Sequence, residues 1–184
     1  MTSSLQLAVS CLQSGGVIAY PTEAVWGLGC DPWNEEATLR LLALKDRPVA
    51  KGLILVAGDA AQFAWLLEPL ADDLRRQLDD TWPGPNTWLV PHRGEVPNWI
   101  CGDYDTVALR VSAHPDVRGL CEAWGGPLVS TSANPGGEPP AITAEQCRKY
   151  FNDDIDYICP GQVGGAGRPT TIRDLVSGEV IRAA

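Results

Sequence analysis

The densest group of chemically active side chains in this sequence is a basic cluster within residues 40–51. It contains four bases and one acid, a local charge of +3 in a chain whose formal charge is −9. The bases are Arg40, Lys45, Arg47 and Lys51. The helix dipole stabilises a cation near a helix C-terminus by about 0.3–1 kcal/mol, which accounts for Lys45 alone. Because arginine and lysine bind phosphate oxygens without a glycine-rich loop, the cluster predicts an anion site, most simply for a polyphosphate.

A single arginine interrupts an alternating apolar segment at residues 106–112. The alternation is typical of a strand whose apolar face consists of Val107, Leu109 and Val111. The opposite face carries Arg110 between small neighbours. A buried guanidinium needs a partner. That partner is either a carboxylate of the protein or a carboxylate or phosphate of a substrate.

A run of hydroxyl and amide side chains covers residues 130–134, directly after an apolar strand segment. Ligands in α/β proteins collect beyond strand ends, and Ser130 and Ser132 share one side while the backbone stays extended. These neutral donors and acceptors suit a sugar, a phosphate or an amino-acid head group. An ordinary Asx or Ser/Thr turn is the alternative.

A fourth segment, residues 20–29, ends a short strand with Thr22 and Glu23 and continues with Trp26 and two glycines. On its own it is equally typical of a turn that buries one tryptophan.

The rest of the pattern supplies the elements that must position these groups. Apolar spacing predicts helices over 4–14, from an N-cap at Asn34 to about Asp46, and over 60–80, 113–124 and 143–151. Apolar or alternating runs predict strands at 17–20, 53–56, 87–90, 106–112 and 127–131, and near Tyr157, Ile172 and Val180. Strands alternating with helices indicate an α/β (α+β) fold with a mixed sheet. Since no linker is visible, we expect a single domain over residues 1–184.

The composition excludes several classes of protein. The 184 residues are 45% hydrophobic and 20% charged, which rules out general disorder. A net charge of −9 argues against coating nucleic acid or an anionic membrane over the whole surface. The two commonest nucleotide-binding loops, GxxxxGKS/T and GxGxxG, do not occur. No membrane span or secretory leader is visible, so we expect a cytoplasmic protein with reduced cysteines.

Together these segments resemble the YrdC/Sua5 family, whose motifs they match in family order. The matching segments are PTE-x-V with its glycines (21–29), K-x-R-P (45–48), WPGP (82–85), R-V-x-x-H-P (110–115), STSAN (130–134) and a late T-I-x-D segment (170–174). The chain ends soon after Arg182, so it is similar to the short form without the extra C-terminal domain of the Sua5 type. Departures from the commoner family pattern occur at Ala24, Trp26, Lys51-Gly52 and Asn86.

The resemblance implies a fold and an activity. The fold is a twisted, mixed parallel and antiparallel sheet with flanking helices and a concave basic face. The activity is ATP-dependent formation of threonylcarbamoyl-AMP from L-threonine and bicarbonate, with release of pyrophosphate. The product supplies threonylcarbamoyladenosine modification of tRNA beside the anticodon. Mg²⁺ on the phosphates and transient contact with the downstream tRNA threonylcarbamoyl-transfer complex are also implied.

The resemblance also implies roles for individual residues. The expected catalytic groups are Lys45, Arg47, Ser132 and Asn134. The expected ATP-binding residues are these four together with Lys51, Thr106 and Arg182. The expected threonine-binding residues are Thr22, Arg110, Ser130 and Thr170. No protein ligand for the metal is implied.

Two other functions remain open. An RNA-binding or ribosome-maturation factor could use the same basic concave surface, although the net charge and the absence of RNP-like aromatic motifs argue against it. A related domain of hydrogenase-maturation carbamoyltransferases adenylates a carbamoyl group, but it normally sits in a much longer chain.

Overall fold

The computed structural model describes residues 3–167 and 170–183, and within these the strands form one nine-stranded sheet. The strands are β1 (Ile18–Pro21), β2 (Trp26–Gly29), β3 (Ile54–Ala57), β4 (Asn86–Pro91), β5 (Thr106–Val111), β6 (Leu128–Ser132), β7 (Tyr157–Ile158), β8 (Thr171–Asp174) and β9 (Val180–Arg182). Their order is β7-β1-β2-β6-β3-β5-β4-β8-β9. The pairs β1/β7, β3/β5 and β4/β8 are parallel and the other neighbours antiparallel. The predicted mixed α/β sheet is therefore confirmed.

Seven α-helices flank this sheet in the part of the chain that the structure describes. They are α1 (Ser4–Gln13), α2 (Glu35–Leu44), α3 (Ala64–Leu67), α4 (Asp72–Asp79), α5 (Asn98–Cys101), α6 (Pro115–Trp124) and α7 (Ala144–Phe151). Short 3₁₀ turns cover Val49–Lys51, Ala60–Phe63 and Asn152–Asp154. Over the described ranges, no helix has both the length and the apolar character needed to cross a membrane.

Local signals explain where most elements begin. The predicted N-cap at Asn34 is confirmed, since its Oδ1 accepts a hydrogen bond from the amide of Ala37 at 3.0 Å. The helix predicted over 60–80 is wrong as one element, because it breaks into a 3₁₀ turn, α3 and α4. Pro69 lies between α3 and α4, where its missing N–H and the clash of its ring with the preceding turn do not suit a helix interior. Neither β2 nor α5 was predicted.

The two faces of the sheet are covered differently. On one face a large core packs the strands against α2, α3, α4, α5 and α7. On the other, α1 and α6 cover a smaller apolar cluster whose sheet residues are Ile18, Tyr20, Val56 and Leu128. We call this the covered half of that face. Beyond it the same face carries a cavity, and we call this part the open half.

Candidate active site

The floor of the cavity is the open half of the sheet face, and its volume is about 440 Å³. Directly paired residues of neighbouring strands point to the same side. The floor residues are Ile54 of β3, Thr106, Ala108 and Arg110 of β5, and Ser130 and Ser132 of β6. The β1–β2 turn, the segment after α2 and the β8–β9 edge supply the walls. Such a volume suits a small-molecule ligand.

The end of α2 determines where Lys45 and Arg47 point. Asp46 has a φ of +49°, the left-handed conformation that often closes a helix and that aspartate adopts more readily than most residues. Its amide donates to the carbonyl of Ala43 at 3.1 Å, and the amide of Arg47 donates to that of Leu42 at 3.0 Å. These are the two hydrogen bonds of a Schellman motif. The chain reverses here, so the two bases reach different places.

Lys45 lies against the loop that follows β6 and does not line the cavity. It is 6% exposed. Its Nζ donates to the carbonyl of Ser132, to the carbonyl of Asn134 at 2.7 Å and to the side-chain oxygen of Asn134 at 3.4 Å. Burial, and to a lesser extent the charge of Arg47, lowers the pKa of Lys45 to about 8. The ammonium group therefore shapes the loop that presents Ser132 to the cavity.

Besides Arg110 on the floor, three bases line the cavity, namely Arg47, Lys51 and Arg182. Nε and Nη2 of Arg47 donate to the carbonyl of Gly52 at 3.3 and 2.8 Å. Gly52 has a φ of +61°, and a Cβ there would lie 2.9 Å from the carbonyl oxygen of Cys101, so the turn requires glycine. Burial lowers the pKa of Arg47, but a guanidinium keeps its charge at neutral pH. The cavity thus has a cationic wall.

The partner of Arg110, left open by the sequence, is the carboxylate of Glu23. Nη2 of Arg110 donates to Oε2 of Glu23, and Oε1 accepts from Ser112 Oγ at 2.8 Å and from the Ala113 amide at 3.1 Å. The Arg110 and Glu23 side chains are 11% and 15% exposed. Nε of Arg110 is buried and has no hydrogen-bond partner among the described residues. Burial lowers the pKa of Arg110 to about 10, so it is charged at neutral pH.

Two of the predicted threonine-pocket hydroxyls are bonded within the protein. Oγ1 of Thr22 donates to the carbonyl of Val25 at 2.7 Å. Oγ1 of Thr170 lies 2.9 Å from Oγ1 of Thr87, and the carbonyl of Thr170 accepts from Nη2 of Arg182 at 3.0 Å. Both threonines still line the cavity. Their hydroxyls therefore have fixed positions in its wall.

The cavity collects nine of the eleven predicted site residues, which places them within reach of one small ligand or two adjacent ones. These nine are Thr22, Arg47, Lys51, Thr106, Arg110, Ser130, Ser132, Thr170 and Arg182. The other two, Lys45 and Asn134, are bonded to each other beside Ser132.

One member of the predicted basic cluster, Arg40, does not belong to an anion site. Its Nη1 donates to Asp156 at 2.7 Å and its Nη2 to the carbonyl of Asp154 at 2.6 Å, and it does not line the cavity. Residues five apart on a helix lie on different faces, so proximity in sequence to Lys45 was misleading. Arg40 instead ties α2 to the chain before β7.

Two features of the wall were missed by the sequence analysis. One is the role of Glu23, which the sequence analysis placed at a strand end and in the PTE motif but did not assign to the site. The other is the segment 160–167, where the Gly164 amide donates to the carbonyl of Thr22 at 3.0 Å and the Ala166 amide to that of Glu23 at 2.9 Å. A Cβ at Gly164 would lie 3.2 Å from the Glu23 Cα. The clustered glycines of this segment were the available signal of close backbone approach.

The arrangement can hold an anion beside a small polar molecule. Cations line one wall, hydroxyls lie on the floor, and Arg110 retains unused donors at the bottom. Within residues 3–167 and 170–183 no group of three or more His, Cys, Asp or Glu side chains could hold a metal ion. Among those residues the acidic side chain that lines the cavity is Glu23, already bonded to three donors.

A mixed α/β sheet with a cationic ligand cavity on one face is typical of a protein that binds small anionic molecules. Comparison with family models identifies the family within this class. The family model Sua5/YciO/YrdC, described as telomere recombination, matches residues 10–184. This chain belongs to that family. The resemblance read from the sequence motifs is therefore confirmed.

Two bacterial relatives are similar along nearly their whole length. A protein of Stutzerimonas stutzeri A1501 is 58% identical over 98% of this chain and 97% of its own. A protein of Pseudomonas putida KT2440 is 57% identical over 97% of this chain and 96% of its own. Both are named threonylcarbamoyl-AMP synthase.

Solved structures show the same fold. Sua5 of P. abyssi in complex with L-threonine superposes with a TM-score of 0.86 and 31% identity, covering 92% of this chain and 50% of that one. This chain thus spans about half the length of that Sua5. YciO of E. coli gives a TM-score of 0.84 and 28% identity, covering 97% of this chain and 87% of that one.

Proposed function

We propose that this chain is an ATP-dependent synthase that forms threonylcarbamoyl-AMP from L-threonine and bicarbonate and releases pyrophosphate. The observation that carries the proposal is a single cavity, in a member of the Sua5/YciO/YrdC family, that places a cationic wall beside Arg110 and a hydroxyl floor. The names of the bacterial relatives support the reaction and its use of ATP. The threonine complex of P. abyssi Sua5 supports threonine as the amino acid.

The chemistry requires two bond-forming steps. The neutral amine of threonine bonds to the carbon of bicarbonate, and water leaves to give a carbamate. A carbamate oxygen then attacks the α-phosphorus of ATP, and the bond from that phosphorus to the bridging oxygen of pyrophosphate breaks. Neither step needs a covalent enzyme intermediate, so catalysis rests on positioning and on neutralising phosphate charge. Bases and hydroxyls are the groups that such catalysis uses.

The cationic wall is proposed to bind ATP. Arg47 and Lys51 neutralise the triphosphate, and Thr106 and Arg182 contact the nucleotide. Ser132 is proposed to lie near the reacting phosphate, and Asn134, which is bonded to Lys45 beside the cavity, is proposed to hold the loop that presents Ser132. Lys45 supports this site from behind through its hydrogen bonds to the same loop.

The floor beside Arg110 is proposed to bind threonine. The unused N–H groups of Arg110 pair with the threonine carboxylate, while Thr22, Ser130 and Thr170 line the pocket. Because Ser130 and Ser132 follow one another on the same face of β6, we expect the amino acid and the reacting phosphate to bind side by side.

Magnesium is proposed to enter with the triphosphate, as part of the substrate. The described cavity residues do not offer a set of metal ligands, since the carboxylate of Glu23 already accepts three hydrogen bonds. We therefore assign no step to a metal held by the protein.

Three further proposals concern the domain organisation, the location and the partners of the protein. They are a single domain over residues 1–184, a cytoplasmic location, and transient contact with the complex that transfers the threonylcarbamoyl group to tRNA. We expect direct RNA binding to be weak, because the net charge of the chain is −9.

Mass spectrometry of the reaction mixture tests the proposed function. Purified protein with ATP, L-threonine and bicarbonate should yield threonylcarbamoyl-AMP and pyrophosphate, and omission of any one substrate should abolish both. ATP turnover that is independent of threonine and bicarbonate would contradict the proposal. Salt-sensitive RNA binding without turnover would favour the RNA-binding alternative instead.

A further inference from the structure

The Arg110–Glu23 ion pair joins the floor and the wall of the cavity and presents one positive and one negative group, which are complementary to the carboxylate and the ammonium group of an α-amino acid. We propose that Glu23 determines specificity for α-amino acids by accepting a hydrogen bond from the substrate nitrogen while Arg110 binds the substrate carboxylate. This inference rests on the proposed function, because it assumes that an amino acid occupies the cavity.

Glu23 has one acceptor position left. A carboxylate accepts about four hydrogen bonds. Oε1 already accepts two, from Ser112 Oγ at 2.8 Å and from the Ala113 amide at 3.1 Å. Oε2 accepts one, from Nη2 of Arg110. The remaining position is therefore on Oε2, the oxygen beside the guanidinium.

Arg110 has donors to spare. A guanidinium has five N–H groups, and the structure shows a hydrogen bond from Nη2 to Glu23. Nε is buried and lacks a partner among the described residues. The donors left for a ligand in the cavity that Arg110 lines are those of Nη1 and the second N–H of Nη2, for which the described residues supply no acceptor.

Glu23 is held in place, and its ion pair holds Arg110 beside it. The Glu23 side chain is fixed by Ser112 and Ala113, and its backbone carbonyl accepts from the Ala166 amide at 2.9 Å. The nitrogen and carboxylate of an α-amino acid share one carbon atom, so a fixed acceptor beside a fixed guanidinium matches their spacing. The nitrogen keeps one N–H after the carbamate forms, so the contact persists through both steps.

The distinguishing experiment compares two probes by calorimetry. One is L-threonine and the other is 3-hydroxybutyrate, which is threonine without its amino group. In Glu23→Gln we expect threonine to bind about 10- to 100-fold more weakly, the usual effect of losing a hydrogen bond to a charged group. Binding of 3-hydroxybutyrate should be unchanged or tighter, because Arg110 keeps its charge. The exposed Glu122→Gln is the matched control and should alter neither affinity.

Each other outcome overturns the inference. Equal weakening of both probes would mean that Glu23 only positions Arg110, and no weakening of either would mean that Glu23 does not contact the substrate. Glu23→Asp, which withdraws the carboxylate by one methylene, should give the same pattern and serves if Glu23→Gln does not fold. Failure of the unsubstituted protein to bind threonine would instead overturn the proposed function.

Discussion

The covered and open halves of one sheet face differ in residue type along β6. On β6, Leu128 is buried beneath the helices, whereas Ser130 and Ser132 lie in the cavity. On β3 the residues stay apolar, with Val56 in the covered half and Ile54 in the open half, so the change of residue type lies on β6. Side chains on one face recur about every 6–7 Å along a strand. A change of residue type over one or two repeats is therefore enough to end a core and begin a binding surface.

The difference separates stability from activity. The covered half buries apolar side chains, which favours folding. The open half directs polar side chains such as Arg110, Ser130 and Ser132 toward the cavity, which contributes little to folding but suits ligand binding. Substitutions in the two halves should therefore change different measured quantities.

The largest expected effect comes from the cationic wall. Arg47→Ala should lower the rate of adenylate formation by about 10²–10³-fold, because it removes a charge that stabilises the transferring phosphate. The far-UV circular dichroism should not change. Mass spectrometric detection of threonylcarbamoyl-AMP gives the rate.

Arg40→Ala is the matched control for this prediction. Arg40 is close to Arg47 in sequence but pairs with Asp156 outside the cavity. The control should retain nearly full activity. Equal losses of activity in the two variants would contradict a specific role for the cationic wall.

The next largest effect is expected in the covered half. Leu128→Ala should lower the free energy of unfolding by about 2–5 kcal/mol, since it leaves a hole beneath α1 and α6. Urea denaturation measures the loss. The folded fraction should keep its KM for threonine. A large rise in KM at unchanged stability would contradict the separation of the two halves.

A smaller effect is expected two residues further along the same strand. Ser130→Ala should raise the KM for threonine about 2- to 10-fold, the range for loss of a neutral hydrogen bond. The free energy of unfolding should change by less than about 1 kcal/mol. Steady-state kinetics and urea denaturation test the two statements. If Ser130→Ala lowers the free energy of unfolding more than Leu128→Ala does, the contrast between the two halves is wrong.

The smallest effect concerns pH. Burial lowers the pKa of Lys45 to about 8, so Lys45 is charged below this pH and loses its proton above it. Loss of the charge weakens its hydrogen bonds to the Ser132–Asn134 loop, so activity should decline above pH 8. Lys45→Arg keeps its charge at higher pH and should move the decline upward. An identical alkaline decline in both proteins would assign it to another group.

Sequence patterns predicted elements with strong local signals. The strand at 106–112 and the Asn34 cap are examples, since alternation and capping depend on near neighbours. The strand β2 was missed because its Trp-Gly-Leu-Gly sequence has low strand propensity and is extended only by pairing with β1 and β6. The order of the nine strands depends on contacts between residues far apart in sequence, so local patterns do not predict it.

The candidate site was predictable to a similar degree. Family motifs selected residues that the cavity collects, including Arg110 and Thr170. They could not distinguish Lys45, which bonds the neighbouring loop, from Arg47, which lines the wall, because the Schellman turn between them separates the two side chains. They also left the partner of Arg110 open, since Glu23 is 87 residues away in sequence.

A crystal structure with L-threonine and a non-hydrolysable ATP analogue tests the central claim most directly. We predict that both ligands occupy the open half, with the threonine carboxylate within hydrogen-bond distance of Arg110 and the triphosphate against Arg47 and Lys51. Binding of either ligand outside this cavity, with Arg47 and Arg110 free of contacts to it, would contradict the account.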